Sequence, residues 1–526
     1  MTAGPVSHDA DVVVIGGGVA GLVAARAAAI EGAAVVLIEA SATFGGLVGS
    51  HQLAGLTLDS GAESFATRGG TVAALAAELN LPLATPAPVP ARVLHHGVLH
   101  SLPAAGVLGI PTDLGAPGLA DVLGADGLAR ARQDLTLGAP TSGDAAPISL
   151  ADLVRSRMGD AVLDALVRPI VRGVHSVEPE NLSAEVLLPG IHERLTTYGS
   201  LAAALASIRA AAPAGSAVAG IDGGMHRLVS ALTEDLRARG VTLLTAAPAQ
   251  ALHRIDRPGT AGQWQILYGH RPSRACSASE SAASNSSNDG NSSSDGNDGG
   301  AISARSVILA TAPPTWDFLA PDGPTATDDD GATESLAALR EIAASWPRAQ
   351  EVDLLTLVVR TADLPAHTQA GTLVAEPGHG AKALTYASAK WDWVARAVNG
   401  GSVHLNAASE DGTQDEARAV VRLSYGPGIV PAGDAAAQRA LALRDAGVLT
   451  GTPPWPEHAL DALAHTRLHP PAPVLSWATS HAAGPLREAV GRLEALSVTG
   501  AWICGSGLAS VVPDATAAGR EAAAGD

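Results

Sequence analysis

Cysteine is nearly absent. The 526 residues hold two, Cys276 and Cys504, which excludes a disulfide framework and a cysteine-based zinc site and fits a reducing compartment. Aromatic residues make up 3% of the chain, too few for a cage of stacked rings around a ligand. Basic residues are also short: 33 Lys+Arg against 52 Asp+Glu leave a formal charge of −19. A chain this acidic has no general attraction for phosphate backbones, so a nucleic-acid partner is not expected. Long apolar runs are missing too. The stretch from Val12 to Ala40 is interrupted by Arg26 and Glu31, and a spanning helix needs about 20 apolar residues. No transmembrane segment is expected, although peripheral membrane contact through an amphipathic face stays open. Residues 1–10 are polar without a basic region, so no secretory leader is expected and the expected location is cytoplasmic.

What is present is apolar and glycine-rich: 47% hydrophobic, 16% charged, with 58 glycines. That composition predicts a globular protein of two or three domains. One run cannot belong to a core. Residues 277–300 contain only Ser, Asn, Asp, Gly, Ala and one Glu, and are expected to be a disordered surface insertion. Apolar strand patterns at Gln263–Tyr268 and Ser306–Ala310 flank it, which places it in a β-connection of a larger α/β unit. A second loop is expected over residues 321–334, around Asp328-Asp329-Asp330. In the middle of the chain, Ser149 reads as the N-cap of one long helix. Leu150, Leu153, Val154, Met158, Val162, Leu163 and Leu166 recur along it at helical spacing.

The N-terminal forty residues carry the most specific signal. Asp11–Ile15 is a buried-strand run; Gly16-Gly17-Gly18-Val19-Ala20-Gly21 follows, then a helical stretch, then a strand ending at Glu39. Each part has a mechanical role in dinucleotide binding. Gly16 permits the tight turn, Gly18 lets backbone approach a pyrophosphate, and Gly21 lets helix pack closely on strand. The helix N-terminus offers N–H groups to the anion, and Glu39 accepts hydrogen bonds from a ribose. Gly45-Gly46 comes soon after that acid, which favours FAD over NAD because a second backbone segment then lies along the cofactor. Near the C-terminus, Trp502–Cys504 reads as an apolar strand and Ala515–Ala524 as a helix after Val511-Val512-Pro513-Asp514. Such a helix start suits negative charge on a reduced flavin.

These pieces resemble the flavin amine oxidase superfamily, and within it the oxygen-dependent protoporphyrinogen/coproporphyrinogen oxidases of haem biosynthesis. The resemblance rests on Gly61-Ala62-Glu63-Ser64-Phe65-Ala66-Thr67-Arg68, Leu102-Pro103 with Gly109–Asp113, and Arg168-Pro169-Ile170 with Gly173-Val174-His175. It continues in Lys382–Thr385 with Ser388, Lys390 and Trp391, and in Val511–Asp514 with Ala518-Gly519-Arg520. Leu47 departs from the basic residue common at its position, His175 from the usual tyrosine, and Trp477–His481 only loosely matches its family counterpart.

The resemblance implies an α/β fold: a Rossmann-like, discontinuous FAD-binding domain from 1–75, 215–315 and 470–526, a helical substrate/cleft section over 85–210, and a sheet-containing substrate-binding section over 316–469. It implies non-covalent FAD held by Gly16, Gly17, Gly18, Val19, Ala20, Gly21, Glu39, Ala40, Gly46, Leu47, Gly61, Ala62, Glu63, Ser64, Ala249, Val511 and Val512. It further implies a porphyrinogen substrate (coproporphyrinogen III or protoporphyrinogen IX), O2 as acceptor, H2O2 as product, and haem-pathway protein partners. The substrate's carboxylates need cations, for which Arg68, Arg172, Arg168 and Lys390 are the candidates. Amine oxidation, carotenoid desaturation and a non-catalytic flavin-holding, porphyrin-binding role are the alternatives. No metal site is expected. His95, His96 and His100 read as parts of a hairpin, with His96 turned away from its neighbours, and Cys504 as a buried, inert thiol instead of a flavin attachment point.

Overall fold

A computed structural model describes residues 7–103, 106–139, 148–175, 177–211, 217–257, 260–269, 299–319, 330–362, 364, 370–375, 380–400, 417–472, 477–505 and 507–525. The 277–298 part of the Ser/Asn/Asp-rich run lies outside them.

Two seven-stranded sheets organise the chain. In the first, the order is Thr242–Leu244, Val35–Ile38, Ser7–Ile15, Gly300–Leu309, Thr260–Tyr268, Ala249–Arg257, with Leu496–Val498 also paired to Gly300–Leu309. Ser7–Ile15 runs parallel to both of its neighbours. Its inner residues Val12, Val13 and Val14 are wholly buried, as expected of a parallel strand covered on both faces. Helix Val19–Ile30 covers one face, pressed between that sheet and the C-terminal helix Leu508–Ala524. A Cβ on Gly519 would collide with the Ala24 carbonyl oxygen, so glycine there sets how closely the two helices approach. The 270–298 region connects the antiparallel pair Thr260–Tyr268 and Gly300–Leu309, in agreement with its expected β-connection; Gly300 itself belongs to the strand.

The second sheet runs Leu460–Leu468, Val352–Arg360, Arg418–Tyr425, Ala381–Tyr386, Gly371–Val374, Ala91–His95, Val98–Ser101. A helical cluster over residues 119–211 has its own core. We propose the division into a nucleotide section, a helical section and a sheet section with two adjustments. Residues 91–101 pair into the second sheet, and Trp316, Leu339 and Trp346 pack into the core beneath the first.

Several local expectations need correction. The long central helix stops at Met158, because Gly159 takes φ +90°, which favours glycine. The Arg130 guanidinium then donates to the carbonyls of Arg155, Ser156 and Arg157, satisfying the freed end. Ser149 does cap the helix, accepting from Asp152 N–H at 2.9 Å. Residues 330–334 start the helix Asp330–Ser345 and are not loop. Trp502–Cys504 is part of a helical turn, Ala501–Cys504, with the strand earlier at Leu496–Val498. Val511–Asp514 lies inside the helix from Leu508, not before it. The histidine hairpin forms, but His96 sits in the turn at φ +51°, where strand alternation no longer holds. Its ring centroid lies 4.0 Å from that of His95, so it is not turned away. The described residues contain no helix long and apolar enough to cross a membrane, and no group of His, Cys, Asp and Glu able to hold a metal.

Candidate flavin site

The carboxyl ends of Ser7–Ile15, Val35–Ile38 and Gly300–Leu309 meet at one edge of the first sheet, where open α/β sheets bind ligands. A cavity of about 610 Å3 opens there. Gly16, Gly18, Val19, Ala20, Glu39, Ala40, Gly46, Leu47, Ala249 and Val511 line it. Gly17, Gly21, Gly61, Ala62, Glu63, Ser64 and Val512 do not, although Gly17 and Gly21 shape the turn.

Three glycines show why the turn needs them. Gly16 has φ +111°, and a Cβ there would lie 2.6 Å from Thr311 Cγ2. A Cβ on Gly21 would collide with the Gly16 carbonyl oxygen. On Gly18 a Cβ would meet nothing within 4 Å; it would project into open space at the cavity wall. Gly18 caps helix Val19–Ile30 without a side-chain acceptor, so the first N–H groups of that helix lack intrahelical partners. Opposite them, Gly45 N–H donates to Gly17 O at 2.8 Å, laying the double-glycine segment along the turn. The Glu39 carboxylate accepts from Gly17 N–H at 2.6 Å and Ser41 N–H at 2.7 Å, which fixes it at the cavity rim. An open glycine cradle at a helix N-terminus with a carboxylate beside it fits a dinucleotide such as FAD.

Reading the sequence missed Thr311, Ala312, Ala247, Pro248, Gly500 and Trp502 as cavity walls. The general rule on strand ends signals Thr311, two residues past an apolar strand. Trp502 is buried edge-on against Trp316 and Trp346, with ring centroids 5.3 and 5.5 Å away. Cys504, at the same turn, is half-buried. Burial, then the Asp514 charge, pushes its thiol up to about 12. Relative to an ordinary thiol it should hold about a thousandfold less thiolate at about pH 8. A Cys276→Ser variant should therefore label with a thiol reagent about a thousandfold more slowly folded than unfolded, and rapid stoichiometric labelling of the native protein would contradict this.

Beyond Gly61 lies the second sheet. A Cβ on Gly61 would come 3.7 Å from Leu468 Cδ1, and the sheet face on that side carries a cross-strand row of Thr466, Leu354, Ser424, Ala383 and Leu373. All five are only half-buried, unlike the opposite face, which packs into an apolar core. The four candidate cations fare differently. Arg168 is held by Asp164, Glu178 and Glu180 at 3.0, 2.8 and 2.7 Å, and these bonds, Glu180's foremost, raise its pKa against the opposing effect of burial. Three carboxylates leave it little to offer a substrate. Arg172 meets one carboxylate among the described residues, Glu178 at 3.1 Å. Arg68 is exposed and donates to Ser510 Oγ at 2.9 Å. Lys390 lies 3.9 Å from Glu63 and over the Trp391 ring. Lys382, quoted for its motif and not as a site residue, is half-buried on strand Ala381–Tyr386. Burial, then the Arg172 charge, lowers its pKa to about 8.

Residues 19–266 match the family of flavin containing amine oxidoreductases. The chain also superposes on the crystal structure of an Exiguobacterium sp. 255-15 protein assigned as a protoporphyrinogen oxidase. The TM-score is 0.73 at 20% identity, covering 99% of this chain and 100% of the other. The fold is that of the flavin amine oxidases. Putrescine oxidase shares it more distantly, with a TM-score of 0.57 at 14% identity over 99% of both chains. Among curated sequences, coproporphyrinogen III oxidase of Propionibacterium freudenreichii is 28% identical over 287 residues, 48% of this chain and 54% of that one. The enzyme of that name from Mycobacterium bovis is 31% identical over 263 residues, 48% of this chain and 56% of that one. The chain thus spans about half the length of these curated relatives. The resemblance seen in the sequence motifs and the α/β fold with a helical part agree with these matches.

Proposed function

We propose that the chain is an FAD-dependent oxidase of a porphyrinogen, coproporphyrinogen III or protoporphyrinogen IX, acting in haem biosynthesis. The observation that carries this reading is the conjunction of a glycine-cradled nucleotide cavity with curated relatives that share one porphyrinogen-directed name. The balanced reaction takes six hydrogens from the macrocycle, in three two-electron steps, to three O2, giving the porphyrin and three H2O2. Bound FAD, held without a covalent link, supplies the two-electron acceptor.

The residues of the chain place the reactants. Gly16, Gly18 and the first turn of the helix behind them would receive the pyrophosphate, and Glu39 the ribose. The half-buried row from Thr466 to Leu373 offers a wall of small and aliphatic side chains against which the macrocycle, puckered at its saturated bridges, rests. Arg172, Arg68, Lys390 and the neighbouring Lys382 are the cations for its carboxylates, whereas Arg168 is already saturated. No acid/base dyad is required of the protein.

The test mixes FAD-loaded protein aerobically with each porphyrinogen and follows porphyrin fluorescence against a protein-free control. Fluorescence rising well above the control, with peroxide formed at about three per porphyrin from the stoichiometry above, is the expected result. The ratio of the two rates names the preferred porphyrinogen. Control-level rates with fully loaded protein would overturn the reading in favour of amines, carotenoids or binding alone.

A further inference from the structure

The Gly61–Glu63 segment is gripped from outside its own sheet. Arg422, on strand Arg418–Tyr425, is 8% exposed. Its Nη2–H donates to Gly61 O at 2.8 Å, and its Nη1 lies 2.6 Å from Glu63 Oε1. Lys390 Nζ approaches the second Glu63 oxygen. Burial by itself would raise the Glu63 pKa. The charges of Arg422 and Lys390, with the Arg422 hydrogen bond, outweigh it and hold the carboxyl below its usual range.

The gripped segment lies behind one wall of the cofactor cavity and meets it through Leu47. Ala62 N–H donates to Leu47 O at 3.0 Å, and Leu47 lines that cavity. Gly61 packs so closely on Leu47 that a Cβ would collide with its carbonyl oxygen. Beside the pair is a small chamber of about 20 Å3 lined by Asp59, Glu63, Thr356, Trp391 and Arg422. Arg422 Nε, Thr356 Oγ1 and Trp391 Nε1 are buried without a hydrogen-bond partner among the described residues, and a chamber of this size with three such groups on its walls suits one water molecule. A buried ion pair is a poor way to gain stability, since apolar replacements often do as well. This pair instead fixes a geometry: one planar fork spans a backbone carbonyl and a carboxylate, which a lysine cannot do.

We propose that Arg422 is a positioning residue that sets the Gly61–Glu63 backbone against the flavin cavity at Leu47, acting through the Gly61 carbonyl and the Glu63 carboxylate. The proposal rests on the flavin-binding part of the functional reading and not on the porphyrinogen.

Two variants test it. Arg422→Lys keeps the charge and loses the fork. The double variant Glu63→Gln with Arg422→Gln removes both members of the closest pair together, so neither is left uncompensated; Lys390, whose side chain is 24% exposed, loses its carboxylate but keeps access to water. Each apoprotein should keep the wild-type circular dichroism and melt close to wild type. Its Kd for FAD should rise about tenfold, the loss of one charge-assisted hydrogen bond, and the visible absorption bands of the bound flavin should shift. Wild-type FAD affinity and spectrum in either folded variant would overturn the proposal, whether or not the melting temperature had moved. A wild-type protein that takes up no FAD would instead sink the functional reading, and this proposal with it.

Discussion

Replacing Asp134 with alanine should cost about 3–5 kcal/mol, the penalty for leaving one member of a buried ion pair uncompensated. Asp134 is fully buried, and its Oδ1 lies 2.6 Å from Arg157 Nε. The same carboxylate accepts from Leu201 N–H at 3.0 Å and Ala202 N–H at 2.9 Å, so it also caps the helix Leu201–Ala211. Arg157 spends its other N–H groups on the carbonyls of Asp134, Gly138 and Gly199. One carboxylate therefore joins three segments of the helical cluster. Asp134→Asn keeps the shape and loses the charge, and should cost about 2 kcal/mol, the scale of a hydrogen bond to a charged group. Denaturant unfolding followed by near-ultraviolet circular dichroism separates the two variants. Equal, small losses for both would show that Arg157 is satisfied without Asp134.

Asp134 was invisible in the sequence for a physical reason. A lone aspartate after a helical stretch reads as a surface residue or a cap of its own neighbours, and its partners lie 23 and 67 residues away. Arg422 shows the same limit across 361 residues, although an arginine between Ala419-Val420-Val421 and Leu423 could have been marked as needing a buried partner. The first forty residues were legible because everything that shapes them is local: an apolar strand, glycines at fixed offsets, a helix, and an acid at the end of the next strand. The α/β class of the whole chain came from the family resemblance that this unit helps to carry. The C-terminal turn was misread because Trp502–Cys504 is a three-residue apolar run, which periodicity cannot assign. Gly500 at φ +130° and Gly505 at φ +102° bracket it as a single helical turn. The break at Gly159 was hidden because apolar residues continue at helical spacing on both sides of it.

The glycines of the nucleotide turn should separate folding from cofactor binding. Gly18 has φ −66° and ψ 176°, an extended conformation open to any residue. Its absent side chain points into space free of other atoms to 4 Å, at the wall of the cavity. Gly18→Val should therefore fold, and its apoprotein should melt within about two degrees of wild type, as expected of a substitution that touches nothing. FAD would then have to share its pyrophosphate site with two methyl groups. Overpacking of this kind costs about 3 kcal/mol, so Kd should rise about a hundredfold. Gly21 is the opposite case. Its Cβ would strike the Gly16 carbonyl oxygen, in a residue whose N–H is tied to the Ile38 carbonyl at 2.9 Å, so Gly21→Ala should damage the fold with or without flavin. Titrating each apoprotein with FAD and following flavin fluorescence, beside a thermal melt, reads both effects. Wild-type FAD affinity in Gly18→Val would mean that the cofactor does not approach the turn at Gly18, and the cavity would then need a different ligand.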